Sequence, residues 1–232
     1  MIEDVKTLHN IELFSELEKH VLEKYEKICR WKHYNPNTSI IEQTDETQDV
    51  YFIVKGQVRI ANVSTSGKEV TLETLNVGQC FGELAAIDCS PRSSTVTSIV
   101  PTYVAVMTSN EFIKAIEENP TIALKLIRMM TSVIRTSSER IVNLVTLGAN
   151  DRVLAELLHE LKISKVTNNK AVIERLPLHQ DIANKASTTR ETVARVFSNL
   201  AKKGIILRNK RKLMITDVKA LKRLYSKDTE YQ

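Results

Sequence analysis

Between Thr38 and Met107 the chain is cut into short apolar runs at close, regular spacing, and that texture leaves few folds open. The runs are Ser39-Ile40-Ile41, Val50-Tyr51-Phe52-Ile53-Val54, Gln57-Val58-Arg59-Ile60, Val70-Thr71-Leu72, Thr95 to Val100 and Thr102-Tyr103-Val104-Ala105-Val106. Turn signals at Lys55-Gly56, Ser66-Gly67-Lys68 and Asn76-Val77-Gly78 separate them. Segments this short, rich in β-branched and aromatic residues and bounded by turn formers, predict a β-sandwich or small barrel. An amphipathic helix precedes it, with Phe14, Leu17, Val21, Tyr25 and Ile28 at helical spacing.

Helices follow. Asn110 is expected to cap one, and Pro120 starts another that meets no breaker before Gly148. In that second helix Ile127, Ile134 and Ile141 recur every seven residues, and Met130, Ser137 and Leu144 form the companion row. β-Branched residues at one heptad position predict a parallel two-stranded coiled coil, hence a homodimer. Ser137 puts a hydroxyl where the seam expects an apolar side chain, a break that marks register or a ligand. Leu147-Gly148-Ala149-Asn150-Asp151 reads as a helix stop, a hinge and the cap of the next helix.

Charge separates the two halves. Residues 149–232 hold 18 Lys and Arg against 9 Asp and Glu, a balance of +9, whereas residues 1–148 hold 15 against 19, a balance of −4. A basic second half on an acidic body predicts a polyanion partner for that half. Its pattern is a helix through Val153, Leu154, Leu157, Leu158 and Leu161, a strand at Ala171 to Arg175, two short helices, a hairpin around Asn209-Lys210, and a terminal helix begun by Asp217. This predicts a winged helix-turn-helix. Ile182 and Ala183 begin its first helix; Thr189 caps the second, whose buried stripe is Val193, Val196, Phe197 and Leu200. Arg190, Glu191, Thr192 and Arg195 are left on the exposed first turns, where a recognition helix meets base edges. Arg bridges guanine O6 and N7, and Glu accepts from cytosine N4. Lys202, Lys203, Arg208, Lys210, Arg211 and Lys212 suit phosphates, which add affinity without sequence information.

A second cassette lies in the β-domain. Gly82-Glu83-Leu84-Ala85 opens a helical turn after a strand-like run, and Arg92-Ser93 follows nine residues after Glu83. Gly82 permits close backbone approach, and the N–H groups after it face an anion. Arg92 offers a forked, permanently charged phosphate partner and Ser93 a hydroxyl. Glu83 suits a ribose hydroxyl, so together the cassette implies a nucleotide.

On these motifs the chain resembles the cAMP receptor protein / fumarate-nitrate regulator superfamily over nearly its full length. Gly82-Glu83-Leu84 with Pro91-Arg92-Ser93 resembles the phosphate-binding cassette of cyclic-nucleotide domains, and Thr189-Arg190-Glu191-Thr192-Val193-Ala194-Arg195 resembles the recognition helix of the cAMP-binding branch. The resemblance implies an α+β chain. Residues 1–119 would form a jelly-roll-like cyclic-nucleotide-binding β-roll, 120–148 the central dimerisation helix and hinge, and 149–232 the winged helix-turn-helix. It implies that Arg92 and Ser93 hold the cyclic phosphate, Glu83 the ribose, and Ser137 and Ser138 the base from both subunits. It further implies that Arg190, Glu191 and Arg195 read a GTGA-like half-site of a palindromic double-stranded operator, with RNA polymerase as a further partner. The expected ligand is cAMP, with cGMP, cyclic di-GMP or constitutive activity as alternatives.

Departures are Asn37 and Ser187, each standing where relatives have a turn glycine, and Ser137 where the cAMP-binding branch has threonine. Cys29, Cys80 and Cys89 are too few and scattered for disulfides, a metal pair or the iron–sulfur cluster of the oxygen-sensing branch, and no two histidines have haem-ligand spacing. Neither a signal peptide nor a membrane span is visible, which predicts a cytoplasmic protein. No nucleophile–base pairing suggests an enzyme. A cyclic-nucleotide module regulating an enzyme or channel is the different-class alternative.

Overall fold

The computed structural model describes residues 6–63, 69–162, 164, 166–174, 176–209 and 212–229. The expected turn at Ser66-Gly67-Lys68, the strand end at Arg175 and the wing residues Lys210 and Arg211 lie outside them. By their contacts the residues form two units, one ending at Val133 and the other beginning at Ile134.

The first unit is built on two four-stranded antiparallel sheets. One runs in the order β1 (Arg30–Tyr34), β8 (Thr102–Met107), β3 (Val50–Lys55), β6 (Cys80–Phe81); the other runs β2 (Ser39–Ile41), β7 (Thr95–Ser98), β4 (Gln57–Val63), β5 (Glu69–Asn76). The near-continuous apolar run of β3 has a physical reason: its sheet is covered on both faces. Tyr51 and Ile53, with Val104 and Val106 of β8, face Ile41, Val58, Leu75 and Val96 in a core between the sheets. The alternate residues Val50, Phe52, Ala105 and Met107 turn to a second core with Phe14, Tyr25, Phe112 and Ile122 from the helices. This is the expected jelly-roll-like β-roll, with period-two alternation deciding which core each strand residue enters.

The N-terminal helix α1 covers only Lys19–Ile28. Phe14, counted into it from spacing, sits instead in a 3₁₀ turn at Glu12–Phe14, and Leu17 precedes the helix; both still pack on the same core. Helix α3 (Ser109–Glu118) is capped by Thr108 rather than Asn110. The Glu111 backbone N–H donates to Thr108 Oγ1 at 3.4 Å, and Glu111 Oε2 accepts from the Thr108 N–H at 3.2 Å, a reciprocal capping box. Thr108→Ala should lower the urea midpoint by a stability loss of about 1 kcal/mol, with Asn110→Ala close to neutral. A larger loss for Asn110→Ala than for Thr108→Ala would return the cap to Asn110.

Helix α4 is unbroken over Pro120–Thr146. The second unit continues with α5 (Ala149–Lys162), β9 (Val166–Thr167), β10 (Lys170–Ile173), α6 (His179–Lys185), α7 (Arg190–Lys202), β11 (Ile206–Asn209), β12 (Lys212–Ile215) and α8 (Val218–Thr229). The strands form one antiparallel sheet in the order β11-β12-β10-β9. Its inward residues Ala171, Ile173, Leu213 and Ile215 pack with Val153, Leu157, Val193, Phe197 and Leu221 into one core. Helix α6 begins at His179, three residues ahead of the expected Ile182, and Asp217 caps α8 by accepting from the Ala220 N–H at 2.8 Å. Gly148 lacks the left-handed conformation of a glycine helix stop; among the described glycines that belongs to Gly56, Gly78, Gly82 and Gly204.

Candidate functional site

In the first unit the cassette is organised around one buried cation. Strand β6 delivers the chain to Gly82, whose φ of 84° lets it turn directly into helix α2 (Glu83–Asp88). A Cβ at Gly82 would stand 2.7 Å from Arg92 Nη1 and 2.8 Å from the Asp49 carbonyl oxygen, so only glycine fits both the turn and the approach. Arg92 is 3% exposed. Its Nη1 donates to the Gly82 carbonyl at 2.8 Å, Nη2 to the Asp49 carbonyl at 2.7 Å and Nε to Thr47 Oγ1 at 3.0 Å. The guanidinium also lies 5.9 Å from the centre of the Tyr51 ring, which stacks on Phe81. Three of its five N–H groups therefore meet neutral oxygens, which leaves two donors for an anion, while Asp49, Asp45 and Glu83 act on its charge from nearby.

Glu83, the first residue of α2, is held above the usual carboxylate range by burial, against the opposing pull of its own backbone N–H and of Arg92. A carboxyl so placed suits a neutral hydroxyl better than an anion. Ser93 follows Arg92 and is exposed, as is Leu84, whereas Ala85 is buried. The residues thus fit a phosphate joined to a hydroxylated sugar.

The loop facing Arg92 was not legible as part of the site. The Thr44 N–H donates to the Arg92 carbonyl at 2.9 Å, and the Arg92 N–H to the Asp45 carbonyl at 2.8 Å. Thr44 has a φ of 75°, a left-handed conformation that a β-branched residue enters only under constraint. Neither Thr44 nor Thr47 carries a residue-type signal, and both lie more than forty positions from Arg92.

In α4, Ser137 and Ser138 are exposed and belong to the second unit; Ser138 Oγ donates to the Ile134 carbonyl at 2.9 Å. The seam residues Ile127, Ile134 and Ile141 are 60%, 66% and 64% exposed, and Leu124, Val133, Val142 and Leu144 are exposed beside them. Apolar exposure this concentrated on one helix is unusual for a water-facing surface.

The second unit presents the helix-turn-helix. Ser187 adopts φ 47° in the turn, so the serine accepts the conformation a glycine would supply. Thr189 Oγ1 accepts from the Thr192 N–H at 3.2 Å and caps α7. The burial of Val193, Val196, Phe197 and Leu200 turns Arg190, Glu191 and Arg195 outward, with Thr192 half-buried. The Glu191 carboxyl is held below its usual value, first by its backbone N–H and then by Thr189, so it stays an acceptor at neutral pH. Lys202 is exposed at the end of α7. Arg152, which spacing did not single out, lies behind the turn. Its Nε donates to the Ala186 carbonyl at 2.8 Å, Nη2 to Ser187 at 3.0 Å and Nη1 to Leu147 at 2.7 Å.

Among the described residues no cluster of His, Cys, Asp and Glu could hold a metal ion, and no helix is long and apolar enough to cross a membrane.

Two family models match the chain: the cyclic nucleotide-binding domain over residues 31–119 and the Crp-like helix-turn-helix domain over 152–224. The cAMP-activated global transcriptional regulator CRP of Salmonella typhimurium is 28% identical over 186 residues, which cover 80% of this chain and 89% of that protein. Among solved structures, a CooA mutant from Carboxydothermus hydrogenoformans superposes with a TM-score of 0.77 at 23% identity over 92% of this chain and 93% of that one. The c-di-GMP responsive global regulator CLP of Xanthomonas campestris does so with 0.67 at 16% identity over 85% and 99%.

Proposed function

The chain belongs to the cAMP receptor protein / fumarate-nitrate regulator superfamily of transcription regulators, and on that premise we propose that it is a cAMP-responsive homodimer that binds a palindromic GTGA-like operator in the cytoplasm. The observation that carries the ligand reading is Arg92, a buried guanidinium paired with a hydroxyl and two carbonyls. Burial disfavours the charged guanidinium by more than the nearby Tyr51, Asp49, Asp45 and Glu83 offset, and a phosphate would supply a directly bonded counter-charge. Glu83 beside it takes the ribose hydroxyl, and Ser93 adds a donor.

Dimerisation is supported by the exposed isoleucine row of α4, which a parallel partner helix would cover. In that dimer Ser137 and Ser138 hydrogen-bond the base. The ligand acts by binding the DNA-competent arrangement more tightly than the other, since equal affinity would shift nothing. Arg190, Glu191 and Arg195 read bases, Lys202 and the wing basic residues contact phosphates, and RNA polymerase is the downstream partner.

The test is binding to a GTGA-type palindrome at fixed salt during separate titrations with cAMP, cGMP and cyclic di-GMP. Stimulation by cAMP is expected. Stimulation by cyclic di-GMP alone would reassign the ligand, and tight binding indifferent to all three would discard the ligand switch while keeping the regulator.

A further inference from the structure

Asp49 meets two arginines, one through its backbone and one through its side chain. Its carbonyl accepts from Arg92 Nη2 at 2.7 Å, and its carboxylate Oδ2 accepts from Arg30 Nη2 at 2.5 Å. Strand register explains why Arg30 is at hand. Arg30 of β1 stands opposite Val106 of β8, Val106 opposite Tyr51 of β3, and Tyr51 opposite Phe81 of β6. Directly opposed residues share a sheet face. Arg30 therefore ends a row whose other members, Val106, Tyr51 and Phe81, belong to the core between the sheets. The Arg92 guanidinium lies 5.9 Å from the centre of the Tyr51 ring in that row. The Arg30 and Asp49 side chains are 56% and 30% exposed, so their pairing adds little to stability. Its charges nevertheless reach the site: Asp49 acts on Arg92, and Arg30 and Asp49 act in opposite senses on Tyr51.

We propose that Arg30 is a positioning residue for the ligand phosphate, holding the Asp49 carboxylate away from the anion that Arg92 receives. Asp49 carries a conflict. Its carbonyl helps to hold Arg92, yet its carboxylate brings a negative charge close to a site for another. Paired with Arg30, the carboxylate is neutralised and kept at the edge strand β1. Without Arg30 it becomes an uncompensated anion beside the cage, which competes with the phosphate for the guanidinium and repels it. Arg30 therefore acts through Asp49 and touches no ligand atom. The inference deepens the cyclic-nucleotide reading of the cassette and rests on it.

The test is calorimetric titration of the full chain with cAMP at low fixed salt, in the wild type and four variants. Arg30→Gln should weaken binding about three- to tenfold. Arg30→Lys, which keeps the charge, should bind more tightly than Arg30→Gln. Asp49→Asn keeps the carbonyl that meets Arg92 and removes only the carboxylate charge, so it should bind more tightly than the wild type. The double variant Arg30→Gln/Asp49→Asn should recover the affinity that Arg30→Gln lost. A double variant as weak as Arg30→Gln would show that Arg30 acts without Asp49. An Asp49→Asn variant as weak as Arg30→Gln would reduce the pair to a tie on the loop. Either result, or unchanged affinity in Arg30→Gln, overturns the proposal while leaving the ligand reading intact. Absence of cAMP binding by the wild type overturns both. Should Arg30→Gln not fold, Asp49→Asn decides alone, and an affinity no higher than that of the wild type rejects the proposal.

Discussion

Arg92→Ala should abolish cyclic-nucleotide stimulation of DNA binding and, in the absence of ligand, cost the N-terminal unit about 2–4 kcal/mol of stability. The two effects share one origin. The guanidinium that would meet a phosphate already ties the carbonyls of Gly82 and Asp49 and the hydroxyl of Thr47 together. Removing it leaves two carbonyls without their donor and opens a space beneath Tyr51. Urea unfolding of the apo protein measures the first effect, and ligand-titrated DNA binding the second. Arg92→Lys keeps the charge but not the three-way fork, so it should retain part of the ligand response with reduced stability. An alanine variant as stable as wild type would show that Arg92 is not the strut described, and one that still responds to ligand would remove it from the phosphate site.

On the DNA side the largest effect is expected from Arg190→Ala. A bidentate contact to guanine discriminates by about 1–3 kcal/mol, which is about five- to 150-fold in specific affinity. Because Arg190 is exposed on the first turn of α7, stability should change by less than about 0.5 kcal/mol. Glu191→Ala should relax the preference at a single base pair and leave the salt slope nearly as it was, since no phosphate contact is lost. Binding to a set of operators varied one base pair at a time reads both. An unaltered base preference in Arg190→Ala would take it out of direct readout.

The layout of this molecule was legible wherever one physical signal dominated locally. Short β-branched runs between glycine turns placed the strands, a break-free stretch after Pro120 placed α4, and Thr189 before an apolar stripe placed α7. Where several residues could play one role, sequence did not choose. Thr108 and Asn110 are both capping types, and the reciprocal bond with Glu111 decides for Thr108. Phe14 has helical spacing from Tyr25, yet it reaches the core from a 3₁₀ turn because the core asks only for the side chain. The candidate site was half visible. Gly82, Glu83 and Arg92 lie close in sequence and form one cassette, but the Thr44 to Asp49 loop that completes it lies more than forty positions upstream of Arg92. Nothing in its residue types announces the left-handed Thr44.

Arg152 changes what the glycine after α4 can do. Arg152 holds the residue that follows that helix, Leu147, and the helix-turn-helix turn through Ala186 and Ser187. A second brace, Arg140 Nε to Glu156 Oε1 at 3.1 Å, crosses the same junction upstream. Gly148, with ordinary backbone geometry, sits between the two braces and is spanned by both. Bending there would have to break charge-assisted bonds on either side, so the elbow is splinted. The last two turns of α4 and the reading head, all within the second unit, are thereby held as one piece. A twist applied to those turns would then reach the reading head undiminished, as a crank turns with its shaft.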